Sequence, residues 1–279
     1  MINNTLSEHD FQRLSQFIHR EFGIKMPPIK KVLLESRLQK RLRLLGLNSF
    51  TEYIDFLFSP EGKAQEMIPF INKVTTNKTE FFREAGHFDY MTRTAIPDLV
   101  QQHGSRKSLK VWSAGCSSGE EPYTLAMVLS EFHSRNQSAI SGFSILATDI
   151  SMEVLEIAHR AVYPPDRVVG IPLDFKHKYF MKSKNPAKPN LRVVPELRRL
   201  ITFGRLNFMD GDYGLKERYD IIFCRNVIIY FDRPTQEKIF HKFCRNLNDG
   251  GYVFVGHSET LHGMDVPLVQ VSPTIYKKK

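Results

Sequence analysis

The stretch that most constrains this chain is Val111-Trp112-Ser113-Ala114-Gly115-Cys116-Ser117-Ser118-Gly119-Glu120-Glu121-Pro122-Tyr123. An apolar run enters a turn of small residues, and a helix-forming segment leaves it. Residues 109–112 suit a short strand, and residues 121–132 suit a helix. The alternation then repeats. Strands are predicted at 143–148 (closing at Asp149), 219–223 and 252–255, and helices at 154–161 and 235–247. Short apolar strands alternating with helices predict an α/β fold, a parallel sheet covered on both faces. Between Tyr163 and Leu206 the alternation lapses. Prolines, lysines and one β-like run at 191–194 predict an inserted subdomain over about 163–206.

Upstream the periodicity is helical. Ser7 with Asp10 resembles a capping box, Phe11, Leu14, Phe17, Ile18 and Phe22 share one face, and Gly23 ends the helix. A second helix is expected over 30–45, stopping at Gly46, with Leu34, Leu38, Leu42 and Leu45 inward. Tyr53, Ile54, Phe56 and Leu57 predict a third, closed by Ser59-Pro60-Glu61-Gly62. The expected organisation is a helical domain at 1–75, a linker and connecting helix at 76–105, and the α/β domain at 106–279. A chain of 279 residues fits two domains at roughly 150 residues each.

Composition narrows the class. Hydrophobic residues at 42% and charged residues at 25% exclude wholesale disorder. No run approaches the roughly 18 apolar residues of a membrane span. The polar start Met1-Ile2-Asn3-Asn4-Thr5 is not that of a signal peptide. Three cysteines without a close pair argue against a disulfide framework or zinc ribbon, so no metal is expected and the cytoplasm is the expected compartment. The net charge of +9 is concentrated in 25–43, with seven basic residues to one acidic, and in 176–205, with nine to one. On the second helix Lys30, Arg37, Lys40, Arg41 and Arg43 are expected to face away from the apolar stripe. Such basic surfaces suit acidic partners.

The Gly115–x–x–x–Gly119 turn is not the glycine pattern of dinucleotide folds. Glu120 and Glu121 at a helix start would repel a pyrophosphate, so a neutral or cationic ligand fits better. Asp149, at the end of the next strand, can accept from ribose hydroxyls; its alternative role is to cap the helix beginning near Ser151. Turn and acid together point to an adenosine-type ligand, and S-adenosylmethionine fits. The strand at 219–223 delivers Arg225, Asn226 and Tyr230 at its carboxyl end. Cys116 reads as a packing residue. His257 reads as a hydrogen-bonded structural residue or as part of the site wall.

Four motifs in order then resemble the bacterial chemotaxis methyltransferases of the CheR family. They are Thr75-Thr76-Asn77-Lys78-Thr79-Glu80-Phe81-Phe82-Arg83-Glu84, the turn from Trp112 to Tyr123, Phe223-Cys224-Arg225-Asn226-Val227-Ile228-Ile229-Tyr230-Phe231, and Gly256-His257-Ser258-Glu259. The resemblance covers nearly the whole chain. Ala114-Gly115-Cys116 departs mildly from members with alanines there, which should not affect binding. The resemblance implies a Rossmann-like class I methyltransferase sheet, an N-terminal all-helical domain and an inserted antiparallel β-subdomain. It implies transfer of a methyl group from S-adenosylmethionine to glutamates of chemoreceptors, leaving S-adenosylhomocysteine. By the same resemblance Asn77, Thr79 and Arg83 close over the cofactor, Glu121 holds its amino-acid or ribose side, Asp149 holds its ribose, and Asn207 and Phe208 lie near the adenine. Arg225 and Asn226 complete the pocket, with Arg83 and Tyr230 at the reaction centre. The basic second helix would face the receptor's cytoplasmic domain, and the insert would grip a receptor tail. A monomer is expected, with no nucleic acid and no membrane insertion. A nucleic-acid methyltransferase and a non-catalytic binding module remain as alternatives; the chain lacks an Asp/Asn-Pro-Pro-aromatic motif after the later strand, which a base methylase would need.

Overall fold

The computed structural model describes residues 5–104, 107–187 and 189–279. The start at 1–4, the boundary expected at 105–106 and Lys188 of the basic insert lie outside the described residues.

Five helices form the first layer: α1 Glu8–Phe22, α2 Lys31–Leu45, α3 Phe50–Phe58, α4 Pro60–Gln65 and α5 Met67–Val74. The Ser7 side chain accepts from the Asp10 N–H, and Gly23 closes α1 in the left-handed conformation. Phe11, Leu14, Phe17, Ile18 and Phe22 are buried, each contributing about 1.5–3 kcal/mol of transfer free energy. Ser59-Pro60-Glu61-Gly62 does not end the helical run as expected. Ser59 caps α3 and also starts α4, accepting from the Gly62 N–H. A Cβ on Gly62 would sit 1.9 Å from the Phe56 carbonyl oxygen, so only glycine allows the two helices to pack this closely.

After the connection come α6 Gly86–Tyr90, a π-helical turn Met91–Ala95 and α7 Ile96–His103. The widened turn accommodates Pro97, which has no N–H to return to the preceding turn. The remaining elements are β1 Lys107–Ala114, α8 Glu120–Arg135, β2 Ile140–Asp149, α9 Met152–Arg160, β3 Val162–Tyr163, α10 Leu173–Tyr179, β4 Phe180–Lys182, β5 Leu191–Val193, α11 Pro195–Arg198, β6 Ile201–Arg205, β7 Tyr219–Cys224, α12 Arg233–Arg245, β8 Leu247–Val255, β9 Leu268–Ser272 and β10 Ile275–Lys278. The main sheet has seven strands in the order β6-β2-β1-β7-β8-β10-β9. The strands from β6 to β8 are parallel, while β10 runs antiparallel to both β8 and β9. The order departs from β1 in both directions, which opens a crevice at the carboxyl ends of β1 and β7. The insert carries a three-stranded antiparallel subsheet, β3-β5-β4.

The basic set on α2 divides. Arg41 turns inward and pairs with Glu66, Nε to Oε1 at 2.8 Å and Nη2 to Oε2 at 2.6 Å, while the Tyr53 hydroxyl donates to Oε1 at 2.9 Å. Arg37 donates to the carbonyls of Lys73, Val74 and Thr75 where α5 ends. Lys40 and Arg43 are exposed. Arg41→Met leaves a carboxylate with a 2% exposed side chain beside a phenol alone. It should lower stability by about 3 kcal/mol or more, the cost of breaking a buried pair. Urea titration followed by helix signal checks this; an unchanged midpoint would place Arg41 among the surface charges.

Candidate functional site

A cleft opens at the crevice between β1 and β7. Asn77, Thr79, Arg83, Glu121, Asp149, Asn207, Phe208, Arg225, Asn226 and Tyr230 all line it. From the basic helix region Lys30 and Arg37 reach it as well, whereas Lys40, Arg41 and Arg43 do not.

The turn after β1 is folded back by its own amides, Gly115 and Cys116 donating to the Thr148 carbonyl at 2.8 and 2.9 Å. Gly115 has φ +88°, and a Cβ there would lie 2.5 Å from Val227 Cγ2. Glycine is therefore required where the turn meets the loop after β7. Asp149 accepts from the Ser117 N–H at 2.8 Å and the Ser151 N–H at 3.0 Å. It thus joins the turn to Ser151, the residue before α9; no side chain caps the first turn of α9, so the alternative helix-capping role is not borne out. Burial pushes its carboxyl above the ordinary range, against the pull of those amides. Cys116 is buried and its thiol is pushed up by burial, as suits a packing residue.

Glu121 accepts from Ser113 Oγ at 2.6 Å and from Arg225 Nε at 2.8 Å. Arg225 then reaches the Arg83 carbonyl with Nη1 at 2.6 Å. The same nitrogen lies 3.6 Å from Glu84 Oε2 and 3.4 Å from His87 Nδ1. Glu84, His87 and His257 bring potential ligand atoms within 4.8 Å of one another. The guanidinium already supplies the positive charge a cation would bring there, so the arrangement fits a polar network better than a metal centre.

Beyond β7, Asn226 adopts φ +59°. The Glu259 carboxylate gathers the N–H groups of Asn226, Val227 and Ile228 at 2.8 Å, Ile229 at 3.4 Å and Gly256 at 2.6 Å. Burial raises its pKa while these amides oppose the shift. The Gly256-His257-Ser258-Glu259 motif does not by itself reveal this role for Glu259. The available signal was a lone carboxylate directly after a buried strand. His257 itself is exposed, with its N–H donating to Glu84 Oε1 at 3.2 Å. Asn226 Oδ1 is buried without a hydrogen-bond partner among the described residues.

Helices α1 and α2 supply a wall that sequence reasoning did not place. Phe22, Ile24, Met26 and Leu33 line the cleft. The Lys25 N–H donates to the Tyr230 carbonyl at 2.8 Å, and Lys30 Nζ sits 5.2 Å from the Tyr230 ring centre. Asn207 donates to the Glu21 carbonyl at 2.9 Å and accepts from the Met209 N–H at 3.0 Å, so its amide also ties α1 to the sheet.

The acceptor set fits a ligand carrying hydroxyl and amine donors: a buried carboxylate at Asp149, an amide oxygen at Asn226 that accepts nothing among the described residues, and acidic residues where a phosphate would need amides.

Burial, with Arg225 next in weight, holds His87 down from the ordinary 6.5 to about 4, so it stays neutral in the folded state at pH 7. The unfolded chain takes up this proton first, so the contribution of His87 to stability is lost as pH falls from 6.5 towards 4. Glu84 opposes the shift and His257 adds to it. Stability of His87→Gln against wild type over that window should differ in slope by up to about 1.4 kcal/mol per pH unit. Parallel curves from denaturant titrations would refute the assignment.

Two family models cover the chain. The CheR methyltransferase all-alpha domain matches residues 9–75, and the CheR methyltransferase SAM binding domain matches residues 77–276. The chemotaxis protein methyltransferase of Borreliella burgdorferi is 39% identical over 279 residues, covering 99% of this chain and 96% of that protein. Chemotaxis protein methyltransferase 2 of Pseudomonas aeruginosa is 38% identical, covering 97% and 93%. The Escherichia coli chemotaxis protein methyltransferase is 37% identical, covering 97% and 91%. With both domain models matched in order, the chain belongs to the CheR family of S-adenosylmethionine-dependent methyltransferases.

Proposed function

We propose that this protein methylates glutamate side-chain carboxylates on the cytoplasmic domain of chemoreceptors, giving glutamate methyl esters. The observation that carries the reading is one cleft in which Asp149 and the unpartnered Asn226 acceptor share walls with Arg83 and Tyr230. S-adenosylmethionine, when bound, supplies an electrophilic methyl carbon on a cationic sulfur. Asp149 would take its ribose hydroxyls, and Asn226 a donor on the ligand. Asn77, Thr79, Glu121, Asn207, Phe208 and Arg225 would enclose it.

An acceptor glutamate has a pKa near 4.3 and is already ionised at neutral pH, so no general base is required. The protein's task is alignment, which can be worth about 7–11 kcal/mol of barrier. Arg83 is half-buried and donates to the Lys78 carbonyl at 3.2 Å, leaving other N–H groups to steer a carboxylate. Tyr230 would hold one carboxylate oxygen. A tighter hold on both oxygens would blunt the nucleophile, so Arg83 orients rather than clamps. Lys40 and Arg43, exposed on α2, and Lys30 at the cleft suit an acidic receptor surface; Arg37 and Arg41 serve the fold first. In this reading the protein works in the cytoplasm as a monomer, with neither nucleic acid nor membrane insertion, and the β-subdomain can engage a receptor tail.

Methyl-labelled cofactor incubated with receptor cytoplasmic fragments should yield label released as methanol in mild base. Base-stable label would instead indicate an amine or nucleobase acceptor. Arg83→Ala should lower turnover more than cofactor affinity, and a normal single-turnover rate would remove it from the reaction centre. Asp149→Ala should weaken cofactor binding by about 1.5–3 kcal/mol per charge-assisted bond lost, read by calorimetry. Receptor methylation should slow with added salt, because attraction between exposed charges fades beyond about 8 Å at physiological ionic strength.

A further inference from the structure

The connection between α5 and α6 has no ladder to satisfy its backbone, and side chains take several of its carbonyls. Ser117 Oγ donates to Asn77 O at 3.0 Å, Arg83 to Lys78 O at 3.2 Å and Arg225 to Arg83 O at 2.6 Å. The donor to Thr79 comes from elsewhere. Arg167 lies in the 3₁₀ turn Pro165–Val168, directly after β3 of the inserted subsheet. Its Nη1 donates to Thr79 O at 3.1 Å and lies 3.4 Å from Glu120 Oε1. Glu120 has a fully buried side chain, with Ser118 Oγ donating to its other oxygen at 2.7 Å. Oε1 makes no hydrogen bond of good geometry, so the guanidinium is its nearest charge partner. Tyr163, which ends β3, donates to Ser118 O at 2.7 Å. The insert therefore touches the cofactor turn through Tyr163, and the connection through the rings of Tyr163, Phe180 and Phe175 against Phe81 and Phe82 and through Arg167, its polar tie to the Thr79 carbonyl.

We propose that Arg167 is a positioning residue for methyl transfer, a strut that ties the inserted subsheet to the connection and so fixes where Arg83 stands. The inference rests on the reading of Arg83 as the residue that orients the acceptor. Thr79 and Arg83 lie on one short segment, so a displacement of the first carries to the second. A shift of about 1 Å at a reacting group can cost about a hundredfold in rate. The Arg167 side chain is 42% exposed, so its loss opens no core. Glu120, whose carboxyl burial already holds above the ordinary range, can take up a proton when the charge leaves. Arg167→Gln should therefore fold.

The experiment compares wild type, Arg167→Gln and Arg167→Lys with labelled cofactor and a chemoreceptor cytoplasmic fragment. Hydrogen exchange of the amides at 79–83 is followed with S-adenosylhomocysteine added. Arg167→Gln should lose about tenfold in kcat with a smaller rise in cofactor KM, because Thr79 also encloses the cofactor, and those amides should exchange faster. Because a single nitrogen meets both Thr79 and Glu120, one lysine ammonium can replace it, and Arg167→Lys should recover most of the rate. Wild-type kcat and wild-type exchange in Arg167→Gln would overturn the proposal. So would a rate loss that lysine does not restore, or one matched by a fall in the urea midpoint. If wild type leaves every receptor fragment unmethylated, the reading of the acceptor fails, and the exchange measurement still decides on Arg167.

Discussion

The site depends on one carboxylate. Glu259 is 5% exposed and would be costly to bury ionised without partners. Five backbone N–H groups supply them, from Gly256 at the end of β8 and from Asn226, Val227, Ile228 and Ile229 beyond β7. The exchange is mutual. The loop after β7 has left its sheet ladder, so these amides need acceptors, and a single side chain provides them. Asn226 is thereby held at positive φ and Tyr230 at the cleft, while neither side chain is used to fix the loop. What the backbone and Glu259 accomplish between them leaves the functional groups available.

A related logic governs the basic residues. The charge of +9 suggests an outward-facing molecule, yet several of the basic residues are engaged with backbone carbonyls where regular structure stops. Arg37 serves the end of α5, Arg167 and Arg225 serve the connection, and Lys242 takes the carbonyls of Phe208 and Asp210 at 2.8 and 2.6 Å. Lys278 takes those of Cys244 and Leu247, both at 2.9 Å. Long cationic side chains suit this work because their stems cross apolar surface and their heads carry several donors. Charge counted along a sequence does not separate these residues from a docking surface. On α2 the separation falls between Arg41, paired with Glu66, and its exposed neighbours Lys40 and Arg43.

The same distinction explains what could be read in advance. The helix α1 and the strands β1, β2, β7 and β8 were legible because burial imposes periodicity or unbroken apolar runs. β6, β9 and β10 were not assigned. β6 and β9 form the two edges of the sheet, and Val269 and Val271 of β9 are about 40% exposed, at 39% and 41%, so their pattern is no longer that of a core strand. Among the residues that line the cleft, Asp149 and Tyr230 were legible because functional groups gather at strand ends in open α/β sheets, whereas Glu121 follows from the family resemblance. Arg167 and the wall from α1 and α2 were not, because each acts on a segment remote in the chain, Thr79 in one case and Tyr230 in the other. Local pattern carries no information about such pairings. Gly62 belongs with them, since its necessity lies in the Phe56 carbonyl it faces.

The connection itself shows why its support matters. Phe82 and Glu84, on either side of Arg83, both have left-handed backbone, φ 57° and 54°. For residues with a Cβ such conformations cost about 1–3 kcal/mol each and persist only where neighbours impose them. Here the neighbours are identifiable. The Phe82 N–H donates to Thr124 Oγ1 at 3.2 Å, and its ring packs edge-on against Phe88 and Phe175. Glu84 accepts from the His257 N–H and faces Arg225. Arg83 thus sits between two residues held in conformations the free chain avoids, each fixed by a different part of the α/β domain. If Arg83 orients the acceptor as proposed, a backbone fixed in this way would place the root of its side chain before any substrate arrives, which is the condition for alignment to lower the barrier rather than be lost to reorganisation.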